Sequence, residues 1–120
     1  MTLKECYAAL GGSYDEVLGR LCSERLVQRF VLKFLSDGSY DLLCRSMEEG
    51  NMEEAFRAAH TIKGVCSNLA FNTLLDSSSR LTEVLRAGGG PEADGLFAQV
   101  QADYQRTLQA IQAFQEGVAG

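Results

Sequence analysis

Tryptophan is absent from this 120-residue chain, and proline and histidine occur once each. With so little proline, long helical runs meet almost no obstacle. Stretches alternating apolar and polar residues are scarce, so strand signals are weak and the chain reads as all-helical. An excess of positive charge is also missing: 16 Asp and Glu outnumber 11 Lys and Arg, for a formal net charge of −5. That balance argues against nucleic acid, which needs a basic surface. It also gives no electrostatic reason to sit on an anionic membrane, and no apolar run reaches the length of a membrane span. The opening residues Met1 to Cys6 lack a signal-peptide core and carry an acid early, so a cytoplasmic protein is expected. Close cysteine pairs are lacking too. Cys6, Cys22, Cys44 and Cys66 are widely separated, whereas a zinc site brings two ligands within a few residues. All four are read as small buried apolar side chains in a reducing compartment; no metal and no cofactor is expected.

What is present is helix. Apolar residues make up 46% of the chain, enough for a core, and the length fits one domain spanning 1–120. Thr2-Leu3-Lys4-Glu5 reads as a capping box opening a short helix that Gly11-Gly12 closes. Ser13 to Glu16 is a second box, and Ser23 is placed to cap a third segment. There Leu26, Val27, Phe30, Val31, Phe34 and Leu35 recur at three- and four-residue spacing, a strong helix signal. Asp37-Gly38-Ser39 marks a brief break before Tyr40, Leu42, Leu43 and Met47 resume the pattern. Gly50 ends it, and Asn51 with Glu54 forms a third box. Phe71-Asn72 marks a turn with Asn72 as cap, and Leu74, Leu75, Leu81, Val84 and Leu85 carry the next helix across the poor helix formers Ser77-Ser78-Ser79. Gly88-Gly89-Gly90-Pro91 is a loop with Pro91 in the first turn of the last helix. That helix runs through Leu96, Val100, Tyr104, Ile111 and Phe114, and the tail from Gly117 is expected to fray. Short connections favour antiparallel neighbours. The expected fold is an up-down antiparallel four-helix bundle at roughly 23–116, with short extra helices at 2–22.

The informative stretch is Ala59-His60-Thr61-Ile62-Lys63-Gly64, inside a helical pattern from Asn51 to about Ala70. At about 100° per residue, Ala55, Ala58, Ile62, Val65, Cys66 and Leu69 gather on one side as a core stripe. His60 falls opposite, among Glu53, Phe56, Arg57, Lys63, Gly64 and Ser67. A neutral imidazole is a nucleophile near neutral pH, since histidine ordinarily titrates around pH ~6.5. An exposed one can attack phosphorus if a cation offsets charge on the transferring group and the space beside the ring is open. Lys63, at i+3, can bring a mobile ammonium. Gly64, at i+4, is read as removing a side chain that would crowd the ring, and a destabilising mid-helix glycine suggests a steric purpose. Ser67 is small and able to donate a hydrogen bond, and Phe56 offers an apolar contact for a docking protein.

These residues resemble the histidine-containing phosphotransfer (HPt) domain family. The similarity lies in Ala59-His60-Thr61-Ile62-Lys63-Gly64, followed by Asn68-Leu69 and Leu74, and continues at Leu81, Arg86 and Gly88. The resemblance implies a phosphorelay intermediate without an ATP site of its own, hence not an enzyme. His60 would accept a phosphoryl group from a receiver-domain aspartyl phosphate, on the ring nitrogen farther from the backbone, and pass it to another receiver aspartate. Lys63 and Gly64 would support it, with Phe56, Arg57, Ser67 and Arg86 as binding residues. Receiver (response regulator) domains and hybrid histidine kinases are the implied partners, Mg²⁺ would belong to the receiver, and a monomer suits the role. The start at Met1 and the short tail lean toward a free-standing protein.

Several positions depart from the family pattern. Ala70 stands where glycine is usual, Val65 and Cys66 replace small, often polar residues, and Thr82 replaces a longer polar side chain on the facing helix. Val65 and Cys66 lie toward the core by phase and are read as repacking; Ala70 and Thr82 motivate an alternative, a non-phosphorylated helical module that docks a receiver domain or histidine kinase. A hydrolytic enzyme using His60 as general base is a weaker third reading, because no triad is visible and an exposed helix face is a poor pocket.

Overall fold

Four helices of this protein begin on a short polar side chain that accepts a backbone N–H from inside the first turn. The computed structural model describes residues 1–119. Among them are seven α-helices and no strand: α1 (Leu3–Leu10), α2 (Tyr14–Leu21), α3 (Glu24–Lys33), α4 (Ser39–Glu49), α5 (Met52–Leu69), α6 (Asn72–Arg86) and α7 (Pro91–Ala119). A 3₁₀ turn, Phe34–Ser36, follows α3. Thr2 forms the complete capping box expected of it. Ser13, Ser23 and Asn51 accept from the amides of Glu16, Leu26 and Glu54.

The other two expected boxes are half-built. The Ser13 N–H donates to the Ala70 carbonyl and the Asn51 N–H to that of Ser46. Glu16 and Glu54 instead pair with Arg20 and Arg57. Asn72 is not a cap: it is the first helical residue, Phe71 occupies the cap position, and no side chain accepts there. Helix α7 runs through the expected tail as far as Ala119; Gly120 lies outside the described residues.

Helices α4 to α7 form the bundle, and side-chain meetings fix their directions. Phe56, near the start of α5, meets Arg86 at the end of α6. Gly38, at the start of α4, shares a cleft with Asn68 and Leu69 at the end of α5. Glu83 and Val84 of α6 border Pro91 and Glu92 of α7. Neighbours therefore run antiparallel. The α4–α7 seam is closed by Tyr40 and Tyr104, stacked with centroids 3.7 Å apart and planes 3° from parallel. Tyr104 continues an aromatic line through Phe34 (5.8 Å) and Phe71 (5.3 Å from Phe34) to Tyr7 of α1 (5.6 Å from Phe71). Helix α1 packs along α7, so the N-terminal helices cover one end and side of the bundle.

The core takes in Ala55, Ala58, Ile62, Cys66 and Leu69 of the expected α5 stripe, together with Ala59; Val65 is half-buried. Buried hydroxyls fold back on their own helices. Ser46, Ser78, Thr82 and Thr107 each donate to the carbonyl four residues earlier. This is how the Ser77-Ser78-Ser79 run stays helical inside the core. All five ion pairs among the described residues join side chains three or four positions apart on one helix.

The apolar residues of α3 divide between two sides of the helix. Leu26 and Phe30 are each 38% exposed, while Val27, Val31 and Phe34 take the buried side. Helix α3 lies outside the four-helix core, so only a narrow stripe of it is covered. Of the cysteines, Cys6 and Cys66 are buried, Cys44 is half-buried and Cys22 is exposed.

Candidate functional site

Helix α5 is set at both ends before its middle matters. Asn51 caps its start, with Glu53 and Glu54 in the first turn, where carboxylates favour the positive end of the helix dipole. Its end turns at Ala70, whose backbone is left-handed at φ 57° and ψ 41°. The Phe71 N–H donates to the Cys66 carbonyl at 2.9 Å, so the helix closes as a glycine would close it. A left-handed alanine costs roughly 1–2 kcal/mol. The usual glycine is therefore dispensable in shape, though not free of strain.

Between those ends, the covered stripe points one face of α5 inward and leaves His60 exposed at mid-helix. The Phe56 ring, one turn back, lies with its centroid 5.8 Å from that of the imidazole, tilted by 31°. Phe56 is half-buried, and the Arg86 guanidinium carbon sits 5.0 Å from its ring centre. One turn forward, Lys63 is half-buried and makes no ion pair among the described residues. A Cβ at Gly64 would meet nothing within 4 Å. The ring of His60 is thus not crowded by that position; the open space matters to whatever approaches from outside. Ser67 is exposed on the next turn of the same face.

Arg57 is turned away, toward the start of the helix. Its guanidinium reaches Glu54 at 2.8 Å and Glu53 at 3.2 Å. Arg86 is divided between Phe56 and Glu83, which it meets at 3.4 Å. Thr82 is fully buried, and its hydroxyl donates to the Ser78 carbonyl at 2.6 Å. No polar group of Thr82 therefore projects to the surface beside His60.

One feature was missed at the level of sequence. The exposed Phe30 and the neighbouring Lys33 of α3 border a cleft of about 480 Å³ together with Val65, Asn68 and Leu69 of α5. The cleft lies on a flank of α5 beside the histidine-bearing face, and no residue of that face lines it. Polar Arg25 and Arg29, interleaved with Leu26 and Phe30, were the available signal that this side of α3 faces solvent.

The fold and this geometry define a helical-bundle protein whose one imidazole stands on an open helix face, beside a lysine and an unfilled glycine position. Residues 24–112 match the model of the Hpt domain, and the chain belongs to that family. Membership carries a general role in histidine phosphotransfer within phosphorelays, with receiver domains and kinases as the partners of such domains. No curated protein and no solved structure matches the chain. No helix among the described residues is long and apolar enough to cross a membrane.

Proposed function

We propose that His60 is the phosphoacceptor of a phosphorelay intermediate without an ATP site of its own. The ring nitrogen farther from the backbone attacks the phosphorus of a receiver aspartyl phosphate. An N–P bond forms, the P–O bond to the aspartate breaks, and the carboxylate leaves with its electron pair. Transfer to a second receiver aspartate reverses these roles. The observation that carries the reading is the exposed imidazole at mid-α5, with Lys63 and the open Gly64 position on the next turn. The Lys63 ammonium offsets charge on the phosphoryl oxygens. The receiver's active site closes over the ring where Gly64 leaves room.

Phe56, the Arg86 contact on it, Ser67 and the α3 pair Leu26 and Phe30 supply the docking surface; Arg57, held by its acids, acts through charge alone. The protein works in the cytoplasm as a monomer and as one domain. Support for the single domain is the packing of α1 on α7 and the hydrogen bonds from α1 and α2 to the end of α5.

Mixing the chain with a phosphorylated receiver is expected to place an acid-labile phosphate on His60. His60→Gln should abolish the label while leaving the helical signal and melting temperature close to wild type. Label persisting in that variant sinks the reading. The buried Thr82 hydroxyl, which offers nothing to a phosphoryl group, favours the alternative of a docking module that carries no phosphate. That reading requires receiver binding with no transfer in the wild-type protein.

A further inference from the structure

Beyond its own closing bonds, the C-terminal end of α5 is held from outside the segment that matches the family. The last carbonyls of a helix have no N–H partner within it. Here four consecutive ones are taken up by α1, α2 and the turn between them. Arg20 Nη1 donates to the Ser67 carbonyl at 2.8 Å and to the Asn68 carbonyl at 2.7 Å. The Tyr7 hydroxyl donates to the Leu69 carbonyl at 2.8 Å. The Ser13 N–H donates to the Ala70 carbonyl at 3.0 Å. The grip is returned, since the Thr73 N–H and hydroxyl both donate to the Gly11 carbonyl at 3.0 Å.

Close approach is built in. A Cβ at Gly12 would stand 2.5 Å from the Ala70 carbonyl oxygen, so only glycine admits the contact. The family match begins at residue 24, which is α3. Tyr7, Gly11, Gly12, Ser13 and Arg20 all precede it.

We infer that the α1–α2 hairpin is a clamp on the docking end of the histidine helix, with Arg20 as its positioning residue. Three observations carry this. The clamped carbonyls belong to Ser67 and Asn68, both exposed: Ser67 lies on the His60 face, and Asn68 lines the Phe30–Lys33 cleft. The turn they close contains the strained Ala70, which would otherwise tend to unwind. The cationic guanidinium sits at the negative end of the α5 dipole, where it is favoured. His60 itself lies about 10 Å up the helix from Ser67, beyond the reach of fraying in the last turn. Loss of the clamp should therefore disturb docking and spare the chemistry. The catalytic half of this inference rests on the reading of His60 as phosphoacceptor; the structural half does not.

The test compares Arg20→Met, Arg20→Lys and Glu16→Gln with wild type. Arg20 is exposed, so none of these should unfold the protein. Amide hydrogen exchange at Asn68 to Phe71 is expected to rise about tenfold or more in Arg20→Met. Exchange at Ala58 to Ile62 should not change. Arg20→Lys should recover part of the protection. Glu16→Gln, which breaks only the exposed 3.5 Å pair with Arg20, should change little. With a phosphorylated receiver as donor, Arg20→Met should raise KM about threefold to tenfold at near-constant kcat.

Unchanged exchange at Asn68 to Phe71 in Arg20→Met overturns the clamp. A fall in kcat at constant KM overturns the positioning role, because it reports a smaller folded fraction. If wild type transfers no phosphate, the phosphoacceptor reading fails, and the exchange result alone decides the clamp.

Discussion

The Arg86 guanidinium of α6 lies over the Phe56 ring of α5, 5.0 Å from its centre. The same ring neighbours His60 at 5.8 Å. One aromatic side chain thus ties two helices together and forms the wall beside the imidazole. A half-exposed cation–π pair of this kind contributes about 0.5–1 kcal/mol.

Arg86→Ala should accordingly lower the melting temperature by a few degrees and weaken transfer to a small extent, through a freer Phe56 ring. Phe56→Ala should weaken receiver binding more than Arg86→Ala does, because it removes the apolar wall itself. Titration calorimetry against a receiver domain orders the two. Equal affinity in wild type and Phe56→Ala would remove Phe56 from the docking surface.

Gly64 gives stability and transfer opposite signs. A methyl group there meets nothing within 4 Å, and alanine is favoured over glycine inside a helix by about 1 kcal/mol. Gly64→Ala should raise the melting temperature by roughly 3–5 °C and slow phosphotransfer about tenfold, because a receiver must close over that spot. Thermal melts and transfer rates on one preparation check both signs. Unimpaired transfer would mean that the glycine has no steric role.

Stability should decline on the alkaline side. Burial pushes the Cys6 thiol from 9.0 up to about 11 and raises that of Cys66. Burial likewise pushes the Tyr40 hydroxyl from 10.0 up to about 12 and raises those of Tyr7 and Tyr104. Each of these groups is neutral when protonated, and the folded state holds the proton more tightly than the unfolded chain. Their contribution is complete below the ordinary values of 9.0 and 10.0 and is lost as pH climbs through the raised ones. Denaturation midpoints should be flat near neutrality and fall from about pH 9 upward.

The four thiols should react in order of access. Exposed Cys22 should be labelled first, half-buried Cys44 more slowly, and Cys6 and Cys66 only on unfolding. A thiol reagent followed by mass mapping gives the order directly. Fast labelling of Cys66 would show that the inner face of α5 opens far more often than this packing allows.

Much of this was legible because helix chemistry is local. Cap residues, the glycine loop at Gly88 to Gly90 and the inward stripe of α5 all follow from residues within one or two turns. The exposure of His60 follows from the same phase. What escaped was set by distance in the chain. Leu26 and Phe30 share the helical spacing of Val27 and Val31, and apart from the neighbouring Arg25 and Arg29 only the absence of a covering helix on that side separates them. Tyr7 and Arg20 carry no local mark of reaching Leu69, Ser67 and Asn68, because 47 to 62 positions separate the partners. Asn72 looked like a cap by type, yet the chain enters α6 one residue earlier, at Phe71.

The ion pairs carry a last consequence. Because every one of the five among the described residues links side chains along a single helix, no ion pair decides which helix lies beside which. That information resides in shape and in contacts to neutral groups, among them those of the Arg20 guanidinium with backbone carbonyls and of the Arg86 guanidinium with the Phe56 ring, which dissolved electrolyte touches less than it does an exposed ion pair. A receiver drawn by Lys33, Lys63 and Arg86 would feel the same electrolyte strongly. Ionic strength is therefore a knob that loosens the partner's grip while the bundle stays shut.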